Sequence, residues 1–177
     1  MKRSTARGFT LVEIMIVVAI IALLAAIAIP NVLRGRTSAN ESASIGNIRA
    51  LVSSLEMYRS VNNSYPTVAQ TWQTTMYPAG GVPAFGPPSF NNTMAGGATP
   101  ATGLVQGYSY RYLDGVVPGQ QYVLVTVPAT LNQTGTRSFY VDDTGTIRHC
   151  TGGAATFTQA AWAAVATIDL PPAAACP

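Results

Sequence analysis

Apolar residues run almost unbroken from Phe9 to Ile29, where Thr10 and Glu13 are the polar members. As a helix this run measures about 31 Å, close to the thickness of a bilayer's hydrocarbon core. It predicts a membrane-spanning helix. The pattern then changes rather than stops. From Asn40 to Tyr58 the apolar positions Ile45, Ile48, Leu51, Val52, Leu55 and Tyr58 recur at steps of three and four, with Glu41, Arg49, Glu56 and Arg59 between them. That spacing is an amphipathic helix. Pro30, Gly35 and Gly46 are the helix-weakening residues on the way: proline removes a hydrogen bond, and each glycine costs about 1 kcal/mol relative to alanine. The pattern therefore predicts one long helix, curved or kinked at Pro30. Residues 9–30 are apolar all round and need lipid or other subunits; residues 31–62 carry one stripe that packs on the chain's own domain.

Residues 63–107 lose this periodicity. Between 66 and 107 stand six prolines and seven glycines, a loop-forming composition whose expected use is exposure, with a short helix possible over Thr67 to Met76. Alternation returns in four segments: Tyr108 to Leu113 with its tyrosines on one face, Gln121 to Val127, Arg137 to Asp142, and Thr146 to Cys150. These predict a four-stranded antiparallel meander over residues 108–150, with Asp143-Thr144-Gly145 as the tight turn of the last hairpin. The Ile45 to Tyr58 stripe supplies the cover such a sheet needs. The predicted class is α+β, a long N-terminal helix packed on a C-terminal antiparallel sheet.

Charge narrows the functional classes. The 177 residues hold ten Lys and Arg against seven Asp and Glu, a net +3, and Lys2, Arg3 and Arg7 lie in the first eight residues. The rest of the chain sums to zero and contains no lysine, so a dedicated nucleic-acid surface is not expected. One histidine and two cysteines are too few for a zinc site of Cys and His alone. Lys2, Arg3 and Arg7 before the apolar helix, against Arg34 and Arg36 after it, place the N-terminus in the cytoplasm and the globular part outside. The competing reading is a cleaved secretory signal, with Ala26-Ile27-Ala28 as the small-residue site. Against it stand the length of the apolar run, the carboxylate near its start and the helix that follows directly.

The string Arg7-Gly8-Phe9-Thr10-Leu11-Val12-Glu13, with its basic leader, apolar helix and Pro30 near the helix end, resembles a bacterial type IV pilin. The resemblance covers residues 1 to about 60 and is architectural beyond. It implies the type IV pilin fold, a leader over residues 1–8, and a membrane prepilin peptidase that cuts between Gly8 and Phe9 and methylates the new Phe9 amine. It further implies that Glu13 pairs with the Phe9 amine of a neighbouring subunit during assembly. One departure is Ala22, where many pilins have a glycine that helps the helix loosen in the filament.

Cys150 and Cys176 meet an oxidising exterior under this topology, and an even pair in an exported domain usually forms a disulfide. The alternative is two free thiols. Closing the loop would contribute roughly 3 kcal/mol on the chain-entropy model, useful for an Ala-, Gly-, Thr- and Pro-rich tail over residues 151–177. By the resemblance this tail matches the pilin disulfide-bounded loop. His149 beside Cys150 suggests a nucleophile pair, but neighbours on a strand point to opposite faces. Asp142 and Asp143 read as turn formers before calcium ligands. Four Asn-x-Ser/Thr sites start at Asn40, Asn62, Asn91 and Asn132, a short pattern expected to stay mostly bare. The long helix has Phe9 and Tyr58 as its aromatics, too few for a stacking path along a filament.

The sequence thus predicts a non-enzymatic subunit without cofactor or metal. It starts as a single-pass inner-membrane precursor and is polymerised by pilus assembly machinery into a homo-oligomeric helical filament, an extracellular type IV pilus on the cell surface. The alternatives are a pseudopilin of a type II secretion system, for which the acid-poor tail with Asp169 alone is the contrary sign, and a signal-anchored extracytoplasmic binding module or enzyme.

Overall fold

The computed structural model describes residues 8–67, 72–78, 84–91, 94–96, 103–153, 167, 175 and 176. It comprises two compact units, Met1–Arg36 and Thr37–Pro177. Helix α1 (Leu11–Asn62) contributes to both.

In the first unit α1 starts with a reciprocal cap. Thr10 Oγ1 accepts from the Glu13 amide at 3.2 Å, and Glu13 Oε2 accepts from the Thr10 amide at 2.8 Å. This Thr-x-x-Glu box satisfies amides that the first helical turn leaves without partners. Pro30 lies inside the helix, which is unbroken on either side. The most apolar stretch of the helix, with a mean hydropathy of 3.0 over 18 residues, has none of its length buried within the chain.

In the second unit α1 turns Ile48, Leu51, Leu55 and Tyr58 onto a sheet and ends where Asn63 takes a left-handed conformation, φ 55°, its amide bonded to Arg59 O at 2.8 Å. The sheet runs in chain order. Strand β1 (Ala95–Gly96) pairs parallel with β2 (Tyr108–Asp114); β3 (Tyr122–Pro128), β4 (Arg137–Asp142) and β5 (Arg148–Thr151) follow antiparallel. The predicted meander is therefore present, with ends shifted by one or two residues and a two-residue parallel edge added. Register explains the core: Tyr110 opposes Thr126, Tyr112 opposes Leu124, and Leu124 opposes Val141. Their side chains share the face that meets the helix stripe. At the last hairpin Gly145 has φ 73° and its amide bonds Asp142 O, while Asp142 Oδ1 accepts from the Thr144 amide and hydroxyl. Asp142 is a turn former, as its position predicts.

The segment 63–107 departs from the expectation of a plain exposed connection. Tyr65, Trp72, Met76, Phe90 and Met94 are all buried in the main core. A short helix α2 (Trp72–Met76) occupies the end of the expected Thr67 to Met76 helix, residues 68–71 lying outside the described set, and a 3-10 turn follows at Pro88–Phe90. Trp72 Nε1 donates to Phe90 O at 3.2 Å, and the Trp72 and Phe90 rings meet Tyr112 and Tyr110. Burial of widely spaced large side chains holds this segment, which is why no period marks it.

The opposite face of the sheet carries a smaller cluster, Val123, Val125, Tyr140 and Cys150, with Leu113, Val127 and Cys176 packed against it. Cys150 and Cys176 form a disulfide, Cα to Cα 5.0 Å. Most of the predicted C-terminal loop, 151–177, lies outside the described residues; Thr167, which is described, bridges to Arg148.

Candidate functional site

The chain's most unusual surface is its N-terminal segment. Leu11, Val12, Ile14, Met15, Ile16, Val17, Val18, Ile20, Ile21, Leu23, Leu24, Ile27 and Ile29 are each more than half exposed. At about 1.5 to 3 kcal/mol for burying each such side chain, leaving them in water costs on the order of 20 kcal/mol or more. A helix this apolar calls for a cover that the chain itself does not give, and it is long and apolar enough to cross a membrane. At its head Gly8 and Phe9 are exposed, Phe9 at 86%. The expected scissile bond between them lies before the cap, whose donors are the Thr10 amide and hydroxyl and the Glu13 amide. Removing residues 1–8 would leave the cap intact. Both Thr10 donors bond the same Glu13 oxygen, Oε2, at 2.8 Å.

The cap was not among the sequence expectations; the signal that could have marked it is Thr-x-x-Glu ahead of an apolar run. The cap gives Glu13 a role inside its own helix, which the assembly reading of that residue has to accommodate.

A second polar centre sits where α1 meets β4. Glu41, 6% exposed, falls among the expected solvent positions of the helix but is buried. Its Oε1 accepts from the Thr136 amide and hydroxyl, both at 2.7 Å, and its Oε2 accepts from Arg137 Nε and Nη2, both at 2.8 Å. Burial alone would raise the carboxyl's pKa. The Thr136 and Arg137 bonds outweigh it and hold Glu41 below the usual carboxylate range. Arg137 Nη1 lies 3.2 Å from His149 Nδ1. A guanidinium has no acceptor, so that ring nitrogen accepts and the imidazole proton is assigned to Nε2. His149 is buried on the helix side, its ring stacked near Phe139. Cys150 lies on the other face in the disulfide, so the two form no nucleophile pair. This centre docks the helix on the sheet. Among the described residues no cluster of three His, Cys, Asp or Glu is placed to hold a metal ion.

Comparison with known proteins bears on the readings of the N-terminus. Residues 3–29 match the family described as the prokaryotic N-terminal methylation motif. Over this N-terminal segment the chain resembles proteins of the type IV pilin-like superfamily. Its relatives include the type II secretion system core protein G of Klebsiella michiganensis, 41% identical over 73 residues, or 41% of this chain and 51% of that protein. The core protein G of Escherichia coli is 42% identical over 64 residues, 36% of this chain and 44% of the relative. The type IV wide pilus major component of Thermus thermophilus is 50% identical over 60 residues, 34% and 46% of the two chains. The chain thus spans about half the length, or somewhat less, of the curated relatives it matches. No solved structure matches it. The pilin-like resemblance and the α+β arrangement stand, whereas the preference for a pilus over a pseudopilus is not carried by these relatives, most of which belong to type II secretion.

Proposed function

We propose that this chain is a non-enzymatic, filament-forming subunit, made as a single-pass membrane precursor, cut between Gly8 and Phe9 by a prepilin peptidase, methylated on the Phe9 amine, and polymerised through packing of the apolar half of α1. The observation that carries the reading is the uncovered apolar helix bearing the methylation motif. A helix apolar on every face needs one environment before assembly and another after it; lipid and the interior of a helical filament are the two that match. The globular unit, with its disulfide, then faces an oxidising compartment.

For the finer choice, the relatives favour a pseudopilin building a periplasmic filament of a type II secretion system. The second reading, an extracellular pilus subunit, is favoured by the cysteine-bounded tail with Asp169 as its one acid and by the wide-pilus relative. Intact mass of the purified subunit tests the shared step: loss of Met1 to Gly8 plus one methyl is expected, and an N-terminus after Ala28 refutes it. Electron microscopy of filaments sheared from cells separates the two finer readings, since a pseudopilus does not shear from the surface.

A further inference from the structure

We propose that Tyr65 is a redox-active tyrosine, the end point of a four-ring relay, Trp72, Tyr112, Tyr122 and Tyr65, that carries one-electron oxidising equivalents out of the core. This assignment is independent of the filament reading. The rings are all buried, at most 2% exposed, and adjacent in series. Trp72 and Tyr112 have centroids 5.3 Å apart, Tyr112 and Tyr122 are stacked at 6.1 Å with planes 15° apart, and Tyr122 meets Tyr65 edge-on at 4.8 Å.

What gives the relay a direction is the placement of proton acceptors. An oxidised phenol or indole becomes a strong acid, so the oxidation settles where a base takes the proton. Trp72 Nε1 donates to Phe90 O, and the Tyr112 hydroxyl donates to Pro66 O at 2.6 Å; amide carbonyls are poor bases. The Tyr122 hydroxyl is buried and meets no hydrogen-bond partner among the described residues. Tyr65 differs from all three. Its hydroxyl donates to Glu56 Oε1 at 2.5 Å and accepts from Arg59 Nη1 at 2.9 Å, which aims its hydrogen at the carboxylate. The Arg59 guanidinium also lies over the Tyr65 ring, 4.9 Å from its centroid. Glu56 and Arg59 are exposed, so this end of the relay reaches solvent while the rings do not. Burial, then the Glu56 bond, raise the resting phenol's pKa, so the proton stays on Tyr65 until an electron leaves.

The step balances with a diffusible one-electron oxidant of the peroxyl-radical class, which is reduced to the hydroperoxide anion. The oxidant takes one electron from Trp72. Trp72 recovers it through Tyr112 and Tyr122 from Tyr65, whose O–H bond breaks as its proton bonds to Glu56, leaving a neutral phenoxyl radical and a carboxylic acid. A one-electron donor of the ascorbate or thiol class returns the electron, and Glu56 returns the proton.

The test uses the full chain in detergent micelles, with Trp162→Phe so that Trp72 is the remaining tryptophan, and photogenerated ruthenium(III) tris-bipyridine as oxidant. Radicals are freeze-trapped and read by electron paramagnetic resonance. A tyrosyl signal is expected, lost in Tyr65→Phe. Glu56→Gln, an exposed change that spares the fold, should slow its formation by roughly tenfold or more, the scale of a lost general base, and leave a tryptophan radical instead. A tyrosyl yield unchanged in Tyr65→Phe, or a rate unchanged in Glu56→Gln, overturns the assignment. If Tyr65→Phe does not fold, the Glu56→Gln rate decides.

Discussion

Replacing Glu41 with alanine removes the acceptor of four bonds at the helix–sheet junction, from the Thr136 amide and hydroxyl and from two nitrogens of Arg137. Breaking a fully buried ion pair costs about 3 to 5 kcal/mol, and a hydrogen bond to a charged group contributes about 1.5 to 3 kcal/mol. Here the carboxylate side chain is 8% exposed but the Arg137 side chain is 30% exposed. Water therefore rehydrates part of the orphaned cation, and the expected loss falls to about 2 to 3 kcal/mol. Urea unfolding of the full chain in micelles, followed by the fluorescence of buried Trp72 in a Trp162→Phe background, should show a lower midpoint with an unchanged slope. In a cycle with Arg137→Ala the two losses should fail to add, by about 1 to 2 kcal/mol. The pH profile gives an independent check. A carboxyl whose folded pKa is lowered contributes stability that is fully present above its unfolded value, about 4.3, and is lost as pH falls through the lower folded value. Glu41→Gln should lack that part of the acid limb. A loss under about 0.5 kcal/mol for Glu41→Ala, the size of an ordinary surface substitution, would refute the docking role.

Reducing the Cys150–Cys176 bridge should cost roughly 3 kcal/mol and open residues 151–177 to limited proteolysis, read by mass spectrometry. Gly145→Ala should cost about 1 kcal/mol in the same urea melt, because the turn holds this residue at φ 73°. Gly46→Ala should instead stabilise by up to about 1 kcal/mol, since a Cβ there meets nothing within 4 Å in the chain; a lower midpoint would contradict the helix-propensity argument.

The parts of the fold that sequence makes legible are those with a period. The Ile48, Leu51, Leu55 and Tyr58 stripe and the Tyr108, Tyr110 and Tyr112 face each repeat at the interval of their element, and each is found buried where that interval puts it. Glu41 is misplaced by the same rule, because a carboxylate on a helix flank reads as solvated until Thr136 and Arg137, far along the chain, are brought to it. Residues 63–107 show the other limit. Trp72, Phe90 and Met94 are core anchors that share no single helix or strand, so proline and glycine content dominates the local signal. At the N-terminus the apolar run and the methylation motif over residues 3–29 were legible together. The proposed relay of rings ending at Tyr65 was not, since Tyr65 lies beyond the end of α1 and the other rings come from α2, β2 and β3.

Glu13 is the residue on which the assembly proposal is most exposed, because the structure already gives it a task. A capping box contributes about 1 kcal/mol, and an exposed carboxylate in the first helical turn is ordinary. Neither needs a neighbouring subunit. Cleavage before Phe9 changes the balance by creating an ammonium next to an apolar helix. In a filament interior closed to water an unpaired cation costs several kcal/mol, more than the cap contributes. The two roles are compatible, since both Thr10 bonds go to Oε2 and a carboxylate accepts through two oxygens. Glu13→Gln separates them: the amide oxygen still caps Thr10, so helix and membrane insertion persist, while the charge that would neutralise a neighbour's Phe9 amine is gone. With this variant as the only copy, the expected outcome is a cleaved, methylated, membrane-resident subunit and filament yield lowered by tenfold or more, as about 1.4 kcal/mol per contact already implies. Filaments at wild-type yield would confine Glu13 to its own helix.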